Sequence, residues 1–181
     1  MAFIYKGQVR TNGGRVLVGG EADTYGGPAT LFANSEVVVL GNAYIADSAG
    51  NLVKVTAGDA IFGILVGVYN KGAYIAPDSN SLTTWTVEGD NITDKQVYGI
   101  CDISRESVYS APQDGTIDTT ANSGDFGAYI DVPSSDATQL DESTATRTRG
   151  TGGQFLTVGT DPEATTRILC VINESEWCSG T

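Results

Sequence analysis

This chain of 181 residues contains no histidine. That absence removes Ser-His-Asp and Cys-His nucleophile systems, histidine acid–base chemistry and histidine-ligated zinc together. Cysteine is scarce as well. Cys101, Cys170 and Cys178 cannot all pair within one chain, and they lack the C-x-x-C spacing of thiolate zinc sites and redox motifs. Cys101 (YGICDI) and Cys170 (RILCVIN) stand inside apolar runs, where a reduced thiol acts as a small hydrophobe. No apolar run approaches the roughly 20 residues of a membrane span. The N-terminal MAFIYKGQVR lacks the basic-then-apolar order of a secretory signal. Synthesis in a reducing cytoplasm is the resulting expectation.

Basic residues are also few, 10 against 22 acidic, and the net charge is −12. Sequence-independent nucleic-acid binding needs basic surface to displace counterions, and docking on anionic lipid needs the same, so the balance argues against both. Residues 3–19 are the exception, with Lys6, Arg10 and Arg15 and no acid, so the segment is +3 and the rest is −15. A basic segment on an acidic body has three possible counterparts: its own body, a second copy or another acidic surface. Ordinary solvent-facing charge on a strand is the simpler alternative.

What is abundant is glycine, 23 residues, together with Thr, Ser, Asn and Asp. That mixture suits strands and turns and disfavours long helices. The chain reads as all-β: short β-branched and aromatic runs broken by turn residues. Residues 3–19 alternate as an extended arm or a first hairpin turning at Asn12-Gly13-Gly14. Val37–Leu40 is a strand ended by Gly41-Asn42. Tyr44–Asp47 and Leu52–Val55 face each other across Ser48-Ala49-Gly50-Asn51, and Ala60–Val68 is a longer strand after Gly58-Asp59. Further strands are expected at 73–76, 82–87, 97–103, 106–111, 126–132, 154–158 and 167–173, with one helical turn at 91–96. Residues 112–125 and 133–153 read as long polar loops, the second anchored only by Leu140. A soft boundary near 88–96 gives the expected organisation: an N-terminal arm or hairpin (1–20), a β-barrel-like unit (21–90), and a β-sandwich-like unit with long loops and a tail (91–181).

Candidate chemistry is thin. The acids Asp47, Asp59, Asp78, Asp90 and Asp114 sit in turns, where Asx side chains bond the local backbone, and no carboxylate pair in an aromatic cleft suggests a glycosidase. Calcium is the competing use of such turns. Its nearest candidates are Asp114 with Asp118, and Asp131 with Asp136, neither in the alternating pattern of a calcium loop. The paired glycines precede no helix with Lys-Ser/Thr, so no phosphate loop is indicated. Trp85 and the tyrosines suit either a β core or a sugar platform. Neither a catalytic residue, a cofactor nor a metal is expected, and the protein is expected not to be an enzyme.

One stretch carries a resemblance. Gly41-Asn42-Ala43-Tyr44-Ile45, Asp47-Ser48-Ala49-Gly50-Asn51-Leu52-Val53-Lys54 and Ala57-Gly58-Asp59-Ala60-Ile61-Phe62-Gly63-Ile64-Leu65-Val66-Gly67 follow one another. This succession is similar to the head decoration (cement) proteins of tailed bacteriophages. The second half, opening at Val97-Tyr98-Gly99-Ile100-Cys101-Asp102 and closing at Arg167–Ile172, looks like capsid-associated phage proteins. The resemblance implies a virion protein of small β-barrel or β-sandwich units on the capsid exterior, made in the host cytoplasm. Its implied partners are the major capsid protein and other copies of itself, a trimer being favoured over a dimer. It further implies head stabilisation by bridging coat subunits. The contact residues expected from the arm's alternation and charge are Phe3, Ile4, Tyr5, Lys6, Arg10 and Arg15. The alternative is a lectin-like β-sandwich or fibre head that recognises host glycans through Trp85 and loop tyrosines.

Overall fold

A computed structural model describes residues 3–8, 17–19, 30–70, 73–75, 84–87, 89–115, 126–134, 136–148 and 153–173. Among them are fourteen strands and a single helical turn. The strands are β1 (Ile4–Gln8), β2 (Leu17–Gly19), β3 (Val37–Val39), β4 (Ala43–Ala46), β5 (Leu52–Lys54), β6 (Gly63–Asn70) and β7 (Ala73–Ile75). They continue as β8 (Thr84–Thr86), β9 (Val97–Asp102), β10 (Ser107–Pro112), β11 (Tyr129–Asp131), β12 (Asp141–Thr146), β13 (Phe155–Thr160) and β14 (Arg167–Ile172), with α1 at Asn91–Asp94. The protein is all-β, and every strand pairing is antiparallel.

The chain divides into two units, neither of them contiguous. Unit 1 comprises Met1–Arg15, Val55–Ile61 and Arg105–Thr181; unit 2 comprises Val16–Lys54 and Phe62–Ser104. The boundary expected near 88–96 therefore falls inside unit 2.

Unit 2 takes in residues 37–54 and 62–68 of the stretch that opens with β3. Its main sheet runs β2-β9-β6-β4-β5, with β7 also on β6, and β3 pairs β8 in a separate ribbon. Gly41, Gly50 and Gly58 sit at φ 80°, 85° and 79°, a region that favours glycine and lets the chain break between apolar runs. In the β4–β5 turn, Asp47 Oδ1 accepts from the Ala49 and Asn51 amides at 2.9 and 2.8 Å. Val38, Tyr44, Leu52, Leu65 and Val68 join one core, the register shift between Leu65 and Gly67 separating the last two, and Phe32, Val87, Val97 and Cys101 complete it. Tyr44, fully buried, keeps its hydroxyl satisfied by accepting from Val39 N–H at 3.1 Å.

The helical turn is shorter than the expected 91–96. Asp90 caps it through Thr93 N–H, and Lys95 ends it in a left-handed conformation. Asn91 makes four hydrogen bonds from a buried position: its amide donates to Phe32 O and Val97 O, and its oxygen accepts from the Gln96 and Val97 amides. A buried Asn is tolerable here because all of these groups are paired.

Unit 1 is a six-stranded sheet in the order β1-β10-β14-β13-β11-β12. Tyr109, Cys170 and Thr157 share one row across β10, β14 and β13, and Phe155 lies opposite Ile172. Its buried apolar residues include Phe3, Tyr109, Ile130, Leu140, Phe155 and Ile168. Cys101 and Cys170 are buried free thiols, the first in unit 2 and the second in unit 1, as their apolar flanks lead one to expect.

Three sequence expectations are corrected. Residues 4–8 and 17–19 belong to different sheets, so they do not form a hairpin with each other. Residues 60–62 are not part of β6. The segment 55–61 belongs to unit 1, where the buried Gln154 donates both amide hydrogens, to Thr56 O and Asp59 O at 2.7 Å each. Asp59 closes that turn by accepting from Thr56 N–H and Oγ1–H. Finally, residues 141–146, inside the expected 133–153 loop, form the edge strand β12. An edge strand paired on one side can be polar throughout, so DESTAT carries no apolar alternation to reveal it.

Two variants test this packing. A Cβ at Gly63 would lie 2.8 Å from the Asp102 carbonyl oxygen, which the sheet holds fixed. Gly63→Ala should therefore cost about 1–3 kcal/mol in urea unfolding, as overpacking does. Gln154→Leu leaves two carbonyls and the Val132 amide without their partner. It should cost at least about 2 kcal/mol, given about 1–3 kcal/mol per buried polar group left unsatisfied.

Candidate functional site

Of the residues singled out in the N-terminal segment, Ile4, Tyr5 and Lys6 are placed on β1, the edge strand of unit 1 beside β10, and Phe3 directly precedes it. Ile4 lies opposite Ser110 and Tyr5 opposite Tyr109, with a register shift between Tyr5 and Gly7. Phe3 is buried: its ring stacks on Phe155 at 4.7 Å and meets Tyr109 edge-on at 6.4 Å. Ile4 and Tyr5 are each 37% exposed. Arg10 and Arg15 lie outside the described residues. The strand is thus an integral member of the sheet, and its removal would strip Phe3 from the core.

Lys6 ties β1 down electrostatically. Its Nζ is 3.1 Å from Asp161 Oδ2 and 2.7 Å from Glu163 Oε2. Hydrogen bonds with Glu163 and then Asp161 hold the ammonium above its ordinary pKa. Burial pushes the Asp161 carboxyl up, but bonds from Ser110, the Glu163 amide and Lys6 outweigh it and hold the pKa below the usual carboxylate range. Behind Asp161, Arg167 donates from Nε to Ser110 Oγ at 2.8 Å and from a terminal nitrogen to Ser110 O. Lys6, Asp161, Glu163, Ser110 and Arg167 thus form one polar seat under the first strand. Only Lys6 was legible as a site residue in the sequence. The other four lie more than a hundred positions away and show no motif.

A second cluster joins Asp114, Asp141 and Glu142, whose carboxylates can each bring an oxygen within 4.8 Å of the others. β12 supplies Asp141 and Glu142. The corner after β10 supplies Asp114, fixed by Asp114 N–H to Leu140 O and Leu140 N–H to Pro112 O. Hydrogen bonding to Asp114, then burial, raise the Glu142 pKa. Glu142 Oε2 is buried without a partner. Hard carboxylate oxygens of this kind suit a divalent cation such as calcium or, equally, a shared proton.

The calcium pairs suggested by sequence are described only in part. Asp118 lies outside the described residues, Asp131 accepts from Gln154 N–H, and Asp136 caps Thr138. Asp47, Asp59 and Asp90 bond their local backbone, as turn residues do. The Trp85 side chain is outside the described residues, so the sugar-platform expectation finds no geometry here.

The acidic cluster has a pH signature. Because the folded-state pKa of Glu142 is raised, its contribution is favourable below the unfolded carboxyl value, about 4.3, and is lost as pH rises through the folded one. Glu142→Gln should therefore raise the melting temperature at neutral pH, with the advantage vanishing below about pH 4 in a differential scanning calorimetry series.

Comparison with models of known protein families, with curated proteins and with solved structures returned no match to this chain.

Proposed function

We propose that this protein is a structural virion component that binds the outer surface of a tailed-phage capsid and cements neighbouring major coat subunits. One observation carries the reading. The stretch 37–68, whose turns and strands resemble those of head decoration proteins, contains β3 to β6, with Gly41, Gly50 and Gly58 at the breaks. The finer architecture proposed is of barrel- or sandwich-like units, supported in unit 2 by Val38 of the β3–β8 ribbon sharing a core with Tyr44 and Leu65 of the main sheet.

The mechanism is thermodynamic. A ligand that binds only the expanded lattice stabilises it by mass action, and several attachment points raise the effective affinity without strong single contacts. Copies of the chain act together in this reading, as a trimer in preference to a dimer. On the N-terminal segment the contact surface is Ile4 and Tyr5, half-exposed on an edge strand, with Arg10 and Arg15 beyond it. Phe3 and Lys6 support that edge from below.

Purified protein incubated with heads of its cognate coat protein should co-sediment saturably with expanded heads and not with unexpanded precursors. Ile4→Glu with Tyr5→Ala should weaken binding about tenfold or more, equivalent to roughly 1.4 kcal/mol, while circular dichroism stays unchanged. Absence of binding to either particle would sink the proposal, and glycan-array hits would favour the lectin-like reading.

A further inference from the structure

The seat of β1 holds the parts of a reaction. Lys6 Nζ, a primary amine, stands 3.1 Å from Asp161 Oδ2, and the Asp161 side chain is 1% exposed. Glu163 Oε2 lies 2.7 Å from the same nitrogen. The other Asp161 oxygen, Oδ1, accepts from the Glu163 amide at 2.9 Å. Ser110 stands near the Asp161 carboxyl, and its hydroxyl oxygen accepts from Arg167 Nε at 2.8 Å. A nucleophile, a carboxyl carbon, a second carboxylate beside the nucleophile and a backbone donor for a developing oxyanion therefore converge. From this convergence we infer that Lys6 and Asp161 form a self-modification site that closes an isopeptide bond between β1 and the turn after β13.

The step balances without a co-reactant. In the resting pair the amine is an ammonium and the acid a carboxylate. The ammonium passes one proton directly to Asp161 Oδ2 across the 3.1 Å contact, and Glu163 Oε2, 2.7 Å from Nζ, is placed to take the next. The neutral amine attacks the carboxyl carbon, and the negative charge on the tetrahedral oxygen is met by the Glu163 amide. A second proton leaves the nitrogen and one carbon–oxygen bond breaks. The nitrogen–carbon bond that remains is an amide. Two of the three ammonium protons and one Asp161 oxygen depart as water.

Free amines and acids do not condense appreciably in water, because hydrolysis wins. Groups fixed in contact behave as though present at about 10⁵–10⁸ M, which moves that balance towards the amide. The product locks the first strand to the sheet covalently and within one chain. The inference does not depend on capsid binding.

Intact-mass spectrometry of the folded full chain tests it. The wild type should be lighter than its sequence mass by one water, and a proteolytic digest should yield a branched peptide joining Lys6 to Asp161. Lys6→Arg and Asp161→Ala should keep their full sequence mass. Glu163→Gln should slow water loss by about 10²-fold or more, as removal of a proton-transfer group does. A folded wild type at full sequence mass overturns the inference. So does a water loss that persists in Lys6→Arg, since that would place the dehydration elsewhere in the chain.

Discussion

Unit 1 depends on holding segments that chain connectivity does not deliver to it. β1 enters from the start of the chain, and residues 55–61 enter between two strands of unit 2. Neither has a sequence neighbour in the six-stranded sheet. Side chains supply the attachment instead: the stacked Phe3 and Phe155 rings with the Lys6 carboxylate pair for β1, and the Gln154 amide for the 55–61 turn, which reaches 98 positions back along the chain. Polar groups suit this task because their geometry is directional. An apolar contact would tolerate a shifted segment, whereas Gln154 satisfies both carbonyls in only one placement.

The same division of labour runs through the molecule. Apolar periodicity builds the cores, and fully paired polar residues at the margins set how the non-repetitive segments enter them. Asn91 does for the turn before β9 what Gln154 does for residues 55–61. Where pairing is incomplete, as at Glu142, the structure carries an electrostatic cost that varies with pH.

A decoration role fits these features in physical terms. In the proposed role, a protein bound to a lattice under load needs rigid strands, an edge able to meet a neighbour, and an edge strand that does not peel from its own sheet. The polar seat under β1 addresses the last of these, because an edge strand is paired on one side only and is otherwise easier to peel away.

The sequence by itself determined the class and most of the strands. Alternation in 43–46 and 52–54, glycine at 41, 50 and 58, and the apolar runs at 97–102 and 167–172 are local signals, and local sterics and solvent partition decide them. β12 escaped because an edge strand need not alternate. The break at Gly58-Asp59 is a true turn, but the strand expected from Ala60 starts only at Gly63, because a distant glutamine captures the turn before it. The positive charge of the first segment was visible, but its partners were not, since Asp161 and Glu163 look like any acids in a turn until β13 and β14 bring them beneath Lys6. The tertiary structure alone decided which residues share a site, because pairing between remote strands depends on cooperative packing that no short window of sequence encodes.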